Sequence, residues 1–323
     1  MTSHLTPARS TATARPDAGD GPRVRWRDLV AAEWIKLWSL RSTRWVLGLG
    51  VLILLGLALQ SSLDTYEQWP EYGPIQRSHY DPMTEAMSGA GVALLMIGAG
   101  TVGVLSIVGE YASGLIRATL TAVPARHRAV LAKAVLLAGV MSGVGAFVSL
   151  GTFMLSQAVL SGRGIGLSVG DPGVPGVLAA NAVLAPVSAL VGLGAGALLR
   201  HAALSVVTTC GLLVVLPGFF KPTVYQWANE LFGYFPYYAW RGTLSQLHPR
   251  TGDALPTAAE AWTGFGLWPA LAVMPAVWWC TDGTCDPGPA GWVRPAGRRR
   301  GRGRRARVRA GAPGTGAIKA PTP

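Results

Sequence analysis

The sequence predicts an all-α membrane protein: six transmembrane helices preceded by an N-terminal amphipathic interfacial helix. Three observations lead there. Hydrophobic residues make up 50% of the 323 and charged residues only 14%, a balance that fits a polytopic membrane protein better than soluble domains. Uncharged runs long enough to cross a hydrocarbon core of about 30 Å, which takes about 20 residues of helix, recur six times. Lysine and arginine concentrate in alternate connections, which orders the two sides of the membrane.

Residues 1–22 are polar and read as a disordered cytoplasmic N-terminus. Residues 23–44 follow as the interfacial helix, with "RWRDLVAAEWIKLWSLRSTR" at 25–44. At about 100° per residue, Trp26, Leu29, Val30, Trp34, Leu37, Trp38 and Leu40 share one broad face, with Arg25, Asp28, Lys36 and Ser39 opposite. Such a helix lies in the plane of the interface. Glu33 falls on the apolar side, where an unpaired carboxylate is costly, so a basic or amide partner is required nearby; Arg41 is the candidate on the same segment.

The six-helix transmembrane domain is predicted over residues 45–279, as Trp45–Leu63, Gly89–Val108, Ala134–Leu160, Val174–Leu199, Ala202–Phe220 and Ala261–Trp279. Backbone groups in lipid must be satisfied within the segment, and no barrel-like alternation is present, so these spans are helical. The first one follows 44 charge-rich residues with no prompt cleavage site, which marks a retained anchor rather than a signal peptide. Residues 1–44 hold eight Lys/Arg and residues 109–133 hold four, whereas residues 61–88 hold one against five acids. The N-terminus is therefore expected in the cytoplasm.

None of the spans contains Asp, Glu, Lys, Arg or His, so a coupling-ion mechanism is disfavoured. Gln157 and Asn181 are the deepest polar candidates and are expected to hydrogen-bond between helices. Glycine pairs such as Gly139 with Gly143 and Gly192 with Gly196 permit close helix packing. The outer segment "VYQWANELFGYFPYYAW" suits short interfacial or re-entrant helices, or an ordinary aromatic belt.

Other chemistry finds little support. Gly98, Gly100 and Gly103 match G-x-G-x-x-G, but mid-span, without the strand-to-helix turn that a pyrophosphate site needs. No Gly-Lys dipeptide occurs, so a P-loop for ATP is missing. The five histidines are scattered and the three cysteines have no metal-like spacing. No catalytic, cofactor-binding or metal-ligating residue is therefore assigned. The net charge of +12 invites a nucleic-acid reading, yet ten of the 28 basic residues lie after Trp279. Residues 280–323 form an Arg/Gly/Pro-rich tail that cannot build a core. It reads either as a tail that binds anionic lipid or RNA by charge or, the favoured reading, as the product of a frame change in a GC-rich gene. Pro269 and Pro275 are expected to interrupt the sixth span.

Between spans two and three lies "GEYASGLIRATLTAVPARHRAVLAKA". Glu110 marks the exit of span two, Gly114 loosens the backbone, and "LIRATLTAV" is a short helical candidate that Pro124 stops. Topology alone would need only the charges. A short helix between two breaks is suited to docking on another protein. This stretch, with "AEWIKLWSLRSTRW" ahead of span one, resembles the permease subunits of type-2 ABC transporters, particularly the actinobacterial kind, over roughly residues 26–268. The resemblance implies a connecting helix containing Glu33 and Lys36. It also implies a coupling region containing Glu110, Gly114, Arg117, Pro124, Arg126 and Lys133, both contacting a separate ABC ATPase subunit. It further implies a permease homodimer or heterodimer in the cell membrane, exporting a drug-like, lipid or other amphipathic substrate, with membrane lipids but no nucleic acid as partners. A non-transporting membrane scaffold or sensor that recruits a cytoplasmic partner is the alternative, and a tail-driven nucleic-acid binder a third.

Overall fold

The computed structural model describes residues 25–39, 41–113, 126–219, 233–245 and 256–281. All regular elements among them are helical. In chain order they are α1 (Trp26–Ser39), α2 (Arg41–Gln68), α3 (Pro74–Ser78), α4 (Met83–Ala86), α5 (Gly89–Ser113), α6 (Arg126–Leu160), α7 (Val174–Leu199), α8 (Ala202–Cys210), α9 (Leu216–Phe219), α10 (Pro236–Ser245) and α11 (Ala258–Thr281). The expected disordered N-terminus 1–22 and most of the tail 280–323 lie outside the described residues.

Local chemistry sets several helix ends. Arg25 N–H donates to Asp28 Oδ2 at 3.3 Å, half of a capping box for α1. Ser88 Oγ accepts from Gly91 N–H at 3.2 Å ahead of α5. Thr257 and Glu260 form a full box on α11: Thr257 N–H reaches Glu260 Oε2 at 2.8 Å, and Glu260 N–H reaches Thr257 Oγ1 at 3.4 Å.

Among the described residues, five helical segments are long and apolar enough to cross a membrane: 43–71, 83–113, 127–163, 174–199 and 202–219. The helices overrun the predicted apolar cores because backbone hydrogen bonding continues into the polar interface, so that Glu110 and Lys133 belong to α5 and α6 themselves. The fifth span is α8 and α9 joined through a widened π turn, Gly211–Val215, just ahead of Pro217. In the sixth segment, α11, tryptophan, glycine and proline dilute the apolar residues, but the helix is continuous. Pro269 and Pro275 lie inside it, contrary to the expected interruption. Within a membrane, neighbouring helices and local adjustment tolerate proline better than an open break would be.

α7 is the centre of the bundle, packed by α5, α6, α8, α10 and α11. Met96, Leu137, Leu184, Leu193 and Leu213 form the middle of the core. Gly100 and Gly103 of α5 lie against α7 at Ser188 and Ala189, and Gly192 lies against Gly100, so two glycines of the nucleotide-like pattern serve helix packing, while a Cβ on the third, Gly98, would meet nothing. Gly192 and Gly196 likewise face α5, whereas Gly139 and Gly143 face open space.

The described part of the aromatic outer segment is no surface belt. α10 packs on α7 and α11, with Trp240 only 3% exposed. Trp240 Nε1–H donates to Asn181 Oδ1 at 2.5 Å, which gives Asn181 the interhelical bond expected of it. Gln157 also finds partners, its Nε2 donating to Pro82 O at 3.2 Å and its Oε1 accepting Leu167 N–H at 2.7 Å. Trp240→Phe leaves a buried amide oxygen unsatisfied and is expected to cost about 1–3 kcal/mol. Thermal unfolding in detergent measures it, and Trp240→Phe with Asn181→Leu is expected to recover part of the loss.

Candidate functional site

At the end of the bundle where α5 finishes and α6 begins, α1 lies across the spans. The face it turns to them carries Leu29 and Glu33, both buried, and Leu29 packs on Ala132 of α6. Trp26, Trp34, Ile35 and Trp38 stay exposed on the other sides, as interfacial rings do in a membrane.

Four charges close into a ring beneath α1. Lys36 Nζ donates to Glu33 Oε1 at 2.6 Å and to Glu110 Oε1 at 3.1 Å. Lys133 Nζ donates to Glu33 Oε2 and, at 3.0 Å, to Glu110 Oε1. Cations and anions alternate, so the ring is neutral. It joins α1 to the last turn of α5 and the second turn of α6 across 74 and 100 residues of sequence. Side-chain exposure is 7% for Glu33, 11% for Lys133, 12% for Glu110 and 28% for Lys36. At that depth the charges survive because each meets opposite charge at hydrogen-bond distance.

The partner that Glu33 required is thus Lys133 together with Lys36; the side chain of Arg41 lies outside the described residues. Lys36 does not oppose Glu33 as the helical projection had it. Positions three apart on a helix are neighbours, and the Lys36 stem swings its ammonium back onto the carboxylate. Burial alone would raise the Glu33 carboxyl, but the charges and hydrogen bonds of Lys133 and Lys36 outweigh it and hold the group below its ordinary value. Burial would likewise lower the Lys36 ammonium, and Glu33 and Glu110 hold it above its ordinary value.

A pH window follows. The Glu33 contribution is complete above its ordinary 4.5 and is lost as pH falls through the depressed folded value. The Lys36 contribution is complete below its ordinary 10.5 and is lost as pH rises through the raised one. The protection of α1 amides, taken relative to their intrinsic exchange rate at each pH, is therefore expected to hold between these limits and to fall beyond either, before that of α5 and α7.

Of the residues expected to act on a partner, the structure gathers Glu33, Lys36, Glu110 and Lys133 into this ring. Arg126 opens α6, with its side chain outside the described residues, as are Gly114, Arg117 and Pro124 altogether. Sequence reasoning missed the neighbour of the ring, Tyr111, whose phenol ring lies 5.4 Å from the Arg200 guanidinium. Arg200 occupies a left-handed conformation, φ 53°, at the end of α7 and so links the fourth and fifth spans to the same end of α5. Its one legible signal was a lone basic pair between two apolar runs.

Residues 34–252 match the family model described as ABC-2 family transporter protein. No curated protein matches the chain.

Proposed function

Since the chain belongs to the ABC-2 family of transporter proteins and is a multi-pass membrane component of an ABC transporter, we propose that it is a permease subunit. In this reading it exports a drug-like, lipid or other amphipathic substrate across the cell membrane, with its N-terminus in the cytoplasm. Energy comes from a separate ATPase subunit. Residues 23–44 act as the connecting helix and residues 109–133 as the coupling region, with 45–279 forming the transport domain. The observation that carries this reading is the ring of charges, which makes α1 and the ends of α5 and α6 one mechanical unit. A push delivered to α1 or to residues 114–125 then reaches the second and third spans together. Gly114, Arg117, Pro124 and Arg126 stand nearest the partner in this scheme, while Glu33, Lys36, Glu110 and Lys133 hold the unit together. A second permease copy or a related half fits the fifth span, where Leu204, Val207, Val215 and Phe219 are exposed.

The test is hydrolysis by the ATPase subunit in lipid nanodiscs with and without the permease. Stimulation by the unaltered chain is expected, and Glu110→Ala and Arg117→Ala are each expected to return hydrolysis toward the rate of the ATPase alone. Hydrolysis indifferent to the chain and to both substitutions overturns coupling and favours a scaffold that recruits without transporting.

A further inference from the structure

The ring forms one wall of a cavity of about 460 Å³ between α1, α2, α5 and α6, within the range of sites that hold small molecules. Its chemistry is graded along the membrane normal. The deep walls are apolar, formed by Val46, Val102, Leu105 and Leu137, and the polar end carries the four ring charges, Glu33, Lys36, Glu110 and Lys133, together with Thr43 and Ser113. From Val102 to Ser113 the α5 wall rises about 16 Å at 1.5 Å per residue, the scale of an acyl chain standing upright. Val46 and Leu105 are 46% and 50% exposed, so the cavity opens sideways to the bilayer.

The charges in the lining balance, and the surplus positive charge beside it is Arg44, next in sequence to the lining residue Thr43. The ring itself is neutral, but Lys36 is its most exposed member, and its ammonium has three N–H donors, of which the ring uses two. Arg44 follows Thr43 on the exposed side of α2 and makes no ion pair among the described residues. We propose that this cavity is a binding site for one anionic phospholipid of the adjacent leaflet, its acyl chain between α2 and α5 and its phosphate at Lys36, Thr43 and Arg44. The site requires only that the chain lie in a bilayer; it does not depend on transport. A lipid seated there fills the space between α1 and α5 and resists movement of α1, which ties the action of the bundle to membrane composition.

The experiment uses the full chain in nanodiscs of phosphatidylcholine doped with phosphatidylglycerol carrying a photoreactive acyl chain, with labelled peptides read by mass spectrometry. Labels are expected to concentrate on Val46 and on α5 from Val102 to Leu105, above the level at the lipid-exposed controls Leu52 and Phe147. The same photoreactive chain on phosphatidylcholine is expected to label about fivefold less, the ~1 kcal/mol of one basic residue near an anionic headgroup. Val46→Trp fills the cavity and is expected to bring labelling down to the control level, whereas Leu52→Trp leaves it unchanged. Leu105→Trp, from the opposite wall, repeats the test should Val46→Trp fail to insert. Labelling spread evenly over the exposed apolar surface, or untouched by the filling variants, overturns the site in favour of annular lipid. Equal labelling by the two headgroups overturns the anionic preference.

Discussion

Lys133→Met is expected to free α1 from the spans and to cost about 3–5 kcal/mol, the range for removing one partner of a buried ion pair. In the intact ring Glu33 shares its two oxygens between two lysines, and Glu110 Oε1 accepts from both. Without Lys133, two buried carboxylates face a single ammonium, and that ammonium is the more exposed one, at 28% against 11%. Lys36→Met is expected to cost less, because water reaches the vacated position and screens the remaining pair. Neutrality returns in Lys133→Met with Glu110→Gln, which keeps the Glu33–Lys36 pair on one helix and removes the surplus carboxylate. That double variant is expected to be more stable than Lys133→Met alone, despite losing one more charged group. Thermal unfolding in detergent gives the order, and proteolysis or hydrogen exchange at α1 reports whether the helix has come away. Equal losses for Lys133→Met and Lys36→Met, or a double variant worse than either single one, would mean that charge balance does not hold α1.

How the ring came to be half legible follows from what each residue reveals alone. Glu33 announced a missing partner by standing among Trp34, Leu37 and Trp38, since a carboxylate on an apolar face has a desolvation cost that something must offset. Lys36, three positions on, lies only about 60° around the helix from Glu33, and assigning it to the opposite face passed over that nearness and over the stem that carries its ammonium back onto the carboxylate. Lys133 is 100 residues from Glu33; only the antiparallel return of α5 and α6 brings it under α1, and no local pattern carries that information. The spans themselves were legible from hydropathy because lipid demands unbroken apolar helix, while their ends were not, because helices run on into the interface where charge is tolerated. Pro269 and Pro275 suggest an interruption because each removes a helix hydrogen bond in lipid, but neighbouring helices and local adjustment carry the helix through both. Between a short interfacial or re-entrant helix and an aromatic belt the segment around Trp240 leaves the choice open, because an aromatic at a membrane surface and an aromatic buried on Asn181 have the same composition around them.

Gly103→Ala is expected to be as damaging as the loss of Lys133, and for a reason that charge does not enter. A Cβ on Gly103 would fall on the carbonyl of Ala189, and one on Gly192 on the carbonyl of Gly100, both well inside the 3.0 Å that real Cβ atoms keep from their neighbours. A side chain in the way can rotate, but a carbonyl inside a helix can move only if the helix moves. α5 and α7 would have to separate by about an ångström or more along the middle of the core, against Met96, Leu184 and Leu193, and close-packed interiors transmit such a shift rather than absorb it. Overpacking commonly costs 1–3 kcal/mol, and a clash with backbone belongs at or above the top of that range, about 3 kcal/mol. Gly139→Ala and Gly143→Ala provide the contrast, being the same substitution in the long helix α6 where a Cβ meets nothing. Relief of glycine's poor helix propensity, up to about 1 kcal/mol each, is expected to leave those variants neutral or slightly more stable. The fraction of monodisperse protein after solubilisation, followed by thermal unfolding, ranks the four substitutions. If Gly103→Ala and Gly192→Ala behave like the α6 pair, α5 and α7 do not touch through their backbones, and α7 is not the tightly held axis around which the other spans are arranged.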